Sequence, residues 1–208
     1  MARPVNANAE ETRGRILDAA SQLFAQHGYE GASVRQIASA AGVSLGMIRH
    51  YFGSKDGLYD ACIASAYGIY DGLGRRVREN LSTGDPVDAL AEAVREGFRH
   101  ARQHIWACRL VLWDMMQSDR WRSERNDRYM VPFALGFAKA LAAPLGRSET
   151  DLALATRTLI FLVVRYATAD VDEIARLLTG GDEEAKGDES TMMAVEDHLV
   201  DLARRLYR

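Results

Sequence analysis

The sequence predicts an all-α protein with an N-terminal three-helix unit followed by a larger helical part. Three observations carry this. Apolar residues recur at helical spacing of three and four along almost the whole chain. No stretch alternates apolar and polar residues as a strand does. Between Ser33 and Leu58, Ser and Gly residues stand where two short helices would start and stop.

The elements follow in order. Residues 1–9 are polar and aperiodic and read as a disordered arm, from which Arg3 could reach a minor groove. Ile16, Leu17, Ala20, Leu23 and Phe24 form the stripe of a first helix, about Glu10 to His27, which Gly28 ends. Ser33 caps a second helix, and Gln36 three residues on completes a capping box. Ile37, Ala38 and Ala41 give its apolar face, and Gly42 supplies the left-handed turn that stops it. Ser44 caps a third helix, which runs to about Phe52. Ile48 and Phe52 face inward with Val43 and Ile37, leaving Leu45, Gly46, Met47, Arg49, His50 and Tyr51 outside or at the ends.

Ser54 opens a long helix with Leu58, Cys62, Ile69, Leu73, Val77 and Leu81 near one stripe. Glycines at 68, 72 and 74 fit either a break near Gly72 to Gly74 or a compliant connecting helix. Asp85 caps and Pro86 begins the next helix, to about Gln103. Another covers 104–116, a loop follows at about Gln117 to Arg122, and a helix to Ala143 carries Arg125, Tyr129, Phe133, Phe137 and Leu141 at steps of four, with a kink expected at Pro132. The Ser148–Ala169 segment is apolar nearly all round and needs cover on more than one side. Asp170 to Leu178 reads as a short helix, and 181–190 as an acidic, mobile segment. The last helix, about Thr191 to Tyr207, places Met192, Val195, Leu199, Leu202 and Leu206 in a coiled-coil-like seam.

Residues 33–58 closely resemble the helix-turn-helix of TetR-type (tetracycline-repressor-like) transcriptional regulators. The fit runs through Ser33, Ile37, Ala38, Ala41, Gly42, Val43, Ser44, Gly46, Tyr51, Phe52, Lys55 and Leu58, and departs at Arg49, where that family often has Tyr. The motif is long and gap-free but covers only the first quarter of the chain.

The resemblance implies a DNA-binding domain over 1–53 and an effector-binding and dimerisation domain over 54–208. It implies a regulator, most simply a repressor, that binds a palindromic double-stranded operator as a homodimer and leaves it when a small-molecule effector binds. Carried over by position, Arg35 sits where the family reaches a base or phosphate. Leu45, Gly46 and Met47 form the leading edge of the recognition helix, where an apolar side chain can meet a thymine methyl group. Arg49 suits a guanine edge or a phosphate. Ser44, Tyr51 and Lys55 suit phosphates, the last beside a helix N-terminus. For His50 a surface role and a contact are equally open.

The resemblance also implies a pocket in the middle of the chain, where the aromatic, Met and Arg residues Phe98, Arg102, Trp106, Arg109, Trp113, Met116, Tyr129 and Phe133 cluster in sequence; plain core packing is the competing reading. Helices 148–169 and 191–207 would make the homodimer interface. Two recognition helices about 34–36 Å apart are what a palindromic site requires.

Bulk properties narrow the alternatives. The net charge is −3, and the first 58 residues hold six basic against five acidic side chains, so DNA contact must rest on local geometry, not on a broad basic face. Cys62 and Cys108 lack metal-ligand spacing and read as core thiols, with redox sensing as the second reading. The longest apolar run, Leu159 to Val164, is far too short to span a bilayer and is flanked by Arg157 and Arg165, so no membrane association and a cytoplasmic location are expected. No Ser/His/Asp grouping, Glu-x-x-His metal pair, phosphate loop or cofactor motif supports an enzyme; His100 and His104 are the one histidine pair at helical spacing. A DNA-bound adaptor without an effector is the remaining alternative.

Overall fold

The computed structural model describes residues 5–80, 84–116 and 126–208. Among them are ten α-helices and no strand: α1 (Val5–Gly31), α2 (Val34–Ala41), α3 (Leu45–Phe52), α4 (Lys55–Asn80), α5 (Pro86–Gln103), α6 (Ile105–Met116), α7 (Val131–Leu145), α8 (Glu149–Ala167), α9 (Val171–Leu178) and α10 (Glu189–Tyr207). The all-α expectation holds. The expected loop after Gln117, and Arg3, Arg122 and Arg125, lie outside the described residues.

The chain divides into two compact units, Met1–Gly68 with Trp106–Ser118, and Ile69–Ile105 with Asp119–Arg208. The first therefore extends past residue 53. It takes in the start of α4 and nearly all of α6.

In the first unit, α1 buries Ile16, Leu17, Ala20 and Phe24. It begins at Val5, so residues 5–9, expected as a disordered arm, continue the helix; their two alanines are strong helix formers. Gly28 breaks α1 as expected, with φ 71 and ψ 175, yet the chain recovers helical geometry as far as Gly31. Leu58, Tyr59, Cys62 and Ile63 of α4 are buried. The α4 backbone stays helical through Gly72 and Gly74, so the break considered there is absent.

The second unit is built on Leu90, Phe137, Ala138, Leu141, Leu152, Ala155, Leu159, Ala203 and Tyr207. These come from α5, α7, α8 and α10, with α7 packed on α8 and α5 on α10. The expected kink at Pro132 is instead a change of helix type. A π-helical turn spans Asn126–Met130, and Pro132 falls in the first turn of α7. A proline has no N–H to donate back, so it suits the start of a helix better than its middle. Pro144 lies in the last turn and Gly146, at φ 62, closes α7.

Two further expectations change. The last helix starts at Glu189 on an Asp188–Thr191 capping box. Its buried stripe continues to Ala203 and Tyr207, while Leu202 and Leu206 are half-buried. A straight helix repeats every 3.6 residues and drifts from a 3.5-residue seam within two heptads. The acidic 181–190 segment is tied down: Asp172 accepts hydrogen bonds from the Gly187 N–H (2.9 Å) and from Lys186 Nζ (3.1 Å). Among the described residues, no single helix is long and apolar enough to cross a membrane.

Candidate nucleic-acid interface

The helix-turn-helix forms by local capping. The Ser33 hydroxyl accepts from Gln36 N–H while the Gln36 side chain accepts from Ser33 N–H. Gly42 takes φ 65, a conformation that costs any side-chain-bearing residue about 1 kcal/mol or more. Val43 N–H then bonds to the Ala38 carbonyl at 3.0 Å, and the Ser44 hydroxyl accepts from Met47 N–H. Ile37 and Ile48 are fully buried between the two helices. Phe52, expected inside, is half-buried, and the Arg13 guanidinium lies over its ring, 5.6 Å from the centroid.

This packing fixes what α3 shows to solvent. Leu45 is 46% exposed, and Ser44, Gly46, Arg49 and His50 are exposed beside it. Met47 and Tyr51 are half-buried, with the Tyr51 ring edge-on to His50 at 5.4 Å. Arg35 is exposed on α2. The result is a short helix with an apolar tip and a cationic side, of a size a major groove admits.

The start of α4 is held close by. The Ser54 hydroxyl accepts from Gly57 N–H at 3.1 Å, which leaves other first-turn N–H groups pointing outward. Gly57 lies against the Phe52 carbonyl; a Cβ there would fall far inside van der Waals contact distance of the oxygen. The sequence reading missed this contact.

It also missed the surroundings of Lys55. Its ammonium sits over the Tyr29 ring, 4.3 Å from the centroid. The Tyr29 hydroxyl donates to Asp56. Tyr29 and Phe24 both meet the Tyr59 ring edge-on, at 5.2 and 5.1 Å. The Tyr59 hydroxyl in turn donates to Asp114 of α6 at 3.1 Å, a carboxylate 2% exposed. Burial, then the Asp56 bond, push the Tyr29 phenol up to about 12, so it remains a donor at neutral pH.

The residues expected to line an effector pocket divide between the two units. Trp106, Arg109 and Trp113 belong to the first unit: Arg109 covers Trp106 at 5.1 Å, and Trp113 covers Gly28. Met116 ends α6, and its side chain lies outside the description. In the second unit Phe133 stacks on Phe137 at 5.7 Å, and Tyr129 is half-buried on the π-helical turn. Phe98 and Arg102 line a cleft of about 790 Å³, with Arg95, Arg99, Met192 and Glu196 among its other walls. Arg95 and Arg99 are both bound to Glu196, and Arg102 donates to the Ala167 carbonyl at 3.1 Å.

Both thiols are buried, and burial pushes each up to about 12. Thiolate, the reactive form, is scarce at neutral pH under those conditions, which favours the core reading over redox sensing.

Comparison with known proteins agrees with this geometry. Residues 16–62 match the family model described as bacterial regulatory proteins, tetR family. The transcriptional repressor AcnR of Corynebacterium diphtheriae is 30% identical over 188 residues, covering 86% of this chain and 88% of that protein. AcnR of Corynebacterium efficiens is 31% identical over 185 residues, with 88% and 87% covered. Among solved structures, the transcriptional regulator FadR from Bacillus subtilis, in complex with stearoyl-CoA, is similar in fold at a TM-score of 0.62 and 18% identity, over 91% of this chain and 96% of that one. With an exposed helix-turn-helix built on this motif, and relatives of that identity along nearly its whole length, the chain belongs to the TetR family of bacterial DNA-binding transcriptional regulators.

Proposed function

We propose that the chain is a homodimeric repressor whose two α3 helices enter successive major grooves of a palindromic operator in the cytoplasm. The carrying observation is the exposed row Leu45, Gly46 and Arg49 on a capped helix, flanked by the α4 N-terminus. Leu45 and Met47 would offer apolar contact to thymine methyl groups, and Gly46 close backbone approach. Arg49 would read a guanine edge, and Arg35, Ser44, Tyr51 and Lys55 would hold phosphates. His50 borders this face. The names of the AcnR relatives support the sign of regulation.

Dimerisation would use α8 and α10. Leu154 and Phe161 on α8 are 63% and 50% exposed, and Met193 on α10 is 59% exposed. Large apolar side chains that share an exposed helix face, as Leu154 and Phe161 do seven residues apart, favour a surface that finds a partner. An effector bound in the 54–208 part would release DNA by favouring the conformation whose recognition helices do not match the operator spacing.

The test is selection of bound duplexes from random-sequence DNA with purified protein, followed by sedimentation of the complex. An inverted repeat bound by two chains is expected; recovery of unrelated sequences, or of one chain per site, would overturn the reading. A thermal-shift screen against metabolites separates an effector-controlled repressor from an adaptor, since a true effector stabilises the fold in proportion to RT ln(1 + [L]/Kd).

A further inference from the structure

Lys55 does not meet DNA as a free side chain. A lysine on an open surface samples many rotamers and loses that freedom when it binds a phosphate. Here the ammonium already rests 4.3 Å from the centre of the Tyr29 ring, and the side chain is half-buried. The ring is itself fixed from three directions. Its hydroxyl donates to Asp56, the residue next to Lys55. Its edge meets Tyr59 at 5.2 Å, and Tyr59 is anchored on buried Asp114. Its backbone follows Gly28, whose positive φ turns the chain out of the α1 register.

A ring face and a phosphate oxygen do not exclude one another. The ammonium carries three N–H groups and only one side of it faces the ring, so the others remain available at the α4 N-terminus. Asp56, which accepts a hydrogen bond from the Tyr29 hydroxyl, stands in the first turn of α4 and so ties the ring to the helix that carries Lys55.

We infer that Tyr29 is a positioning residue for operator binding: it presents the Lys55 ammonium to a DNA phosphate by holding it over the ring face. The proposal rests on the reading of Lys55 as a phosphate contact.

The test uses the full chain and a self-complementary duplex recovered by selection with the wild-type protein. Binding is measured by fluorescence anisotropy over a range of salt concentrations. Tyr29→Leu removes the ring face and is expected to weaken binding by roughly two- to fivefold per subunit, hence on the order of tenfold for a complex of two subunits. Tyr29→Phe keeps the ring face and gives up only the hydroxyl bond to Asp56, so it is expected to lose less affinity than Tyr29→Leu.

The discriminating measurement is the double-mutant cycle. In a Lys55→Ala background, Tyr29→Leu should have almost no further effect, because the side chain it positions is gone. A purely structural role for Tyr29 would weaken binding equally in both backgrounds, and that result overturns the proposal. So does wild-type affinity of Tyr29→Leu alone, or a loss for Tyr29→Phe as large as for Tyr29→Leu. If Tyr29→Leu melts too low to assay, Tyr29→Met, of similar volume, takes its place in the cycle. If Lys55→Ala binds as well as wild type, the phosphate reading of Lys55 fails, and the proposal falls with it for that separate reason.

Discussion

Arg99 grips Glu196 in a two-pronged fork, Nε to Oε2 at 2.8 Å and Nη2 to Oε1 at 2.9 Å. Arg95 Nη1 adds a third bond to Oε1 at 2.7 Å. The pairing joins α5 to α10 across the second unit. Burial alone would raise the Glu196 carboxyl pKa, but the Arg99 and Arg95 hydrogen bonds outweigh it and hold the group below the ordinary carboxylate range. A carboxylate depressed on folding adds stability that is full above its unfolded pKa, about 4.3, and is lost as pH falls through the folded value. Glu196→Gln is therefore expected to lower stability by about 2 kcal/mol at neutral pH and to flatten the loss of stability below pH ~4. Urea unfolding across pH 3 to 7 checks both, and an unchanged acid limb would show that Glu196 does not drive it.

Gly28→Ala should destabilise the first unit. At φ 71 and ψ 175 the backbone lies in a region reserved almost entirely for glycine, and an added Cβ would sit 3.1 Å from the Trp113 ring. The expected cost is about 1–3 kcal/mol by thermal unfolding. Trp113→Leu in addition should relieve the contact but not the backbone strain, so most of the loss should persist.

Gly57→Ala meets a harder obstacle, the main-chain oxygen of Phe52. The α3–α4 junction must open to admit the methyl group. A loss of about 2–3 kcal/mol is expected, together with weaker operator binding at temperatures where the protein remains folded. Normal binding by a well-folded Gly57→Ala protein would contradict the junction's rigidity.

Arg49 and Lys55 should separate by the pattern of their effects. Arg49→Ala is expected to relax preference at one base pair by ~1–3 kcal/mol if it reads a guanine. Lys55→Ala should weaken all sequences evenly and lower the salt slope by ~1. An Arg49→Ala protein that loses affinity evenly, with a shallower salt slope, instead places Arg49 on a phosphate.

Phe161 tests the dimer. Phe161 and Leu154 are seven residues apart, about two helical turns, and so share a face of α8. Phe161→Glu is expected to raise the dimer dissociation constant at least about tenfold while leaving the monomer folded, since the side chain is half exposed in the single chain. Sedimentation equilibrium reads the change; an unaltered dimer would move the interface elsewhere.

What the sequence made legible was set by near neighbours. The Ser33–Gln36 box, the Gly42 turn and the Ser44 cap each depend on residues three or four apart, and each occurs as read. Contacts between distant segments were not legible. Nothing near Tyr29 announces Lys55, 26 positions on, because that meeting depends on how α1 and α4 are stacked, and even five residues apart Gly57 and the Phe52 carbonyl meet only through the angle between α3 and α4. The same limit applies to the expected pocket residues, which divide between the two units. Trp106 and Phe98 lie eight residues apart, but the chain passes from one compact unit to the other at Ile105. Periodicity assigns a residue to the buried side of its helix without naming which helix covers it. On α10 that ambiguity was one of period: Ala203 and Tyr207 form the buried edge where Leu202 and Leu206 were expected.

The contact of Gly57 with the Phe52 carbonyl has one more consequence. Main chain meets main chain there, with no side chain between, so the spacing from the recognition helix to the α4 N-terminus does not depend on which side chains α3 displays. Under the proposed docking, exchanging Leu45 or Met47 would change the base pairs addressed while Ser54 and Lys55 stay where they are. The reading head is interchangeable on a fixed mount, and a single glycine is what permits new operators to be tried without rebuilding the fold.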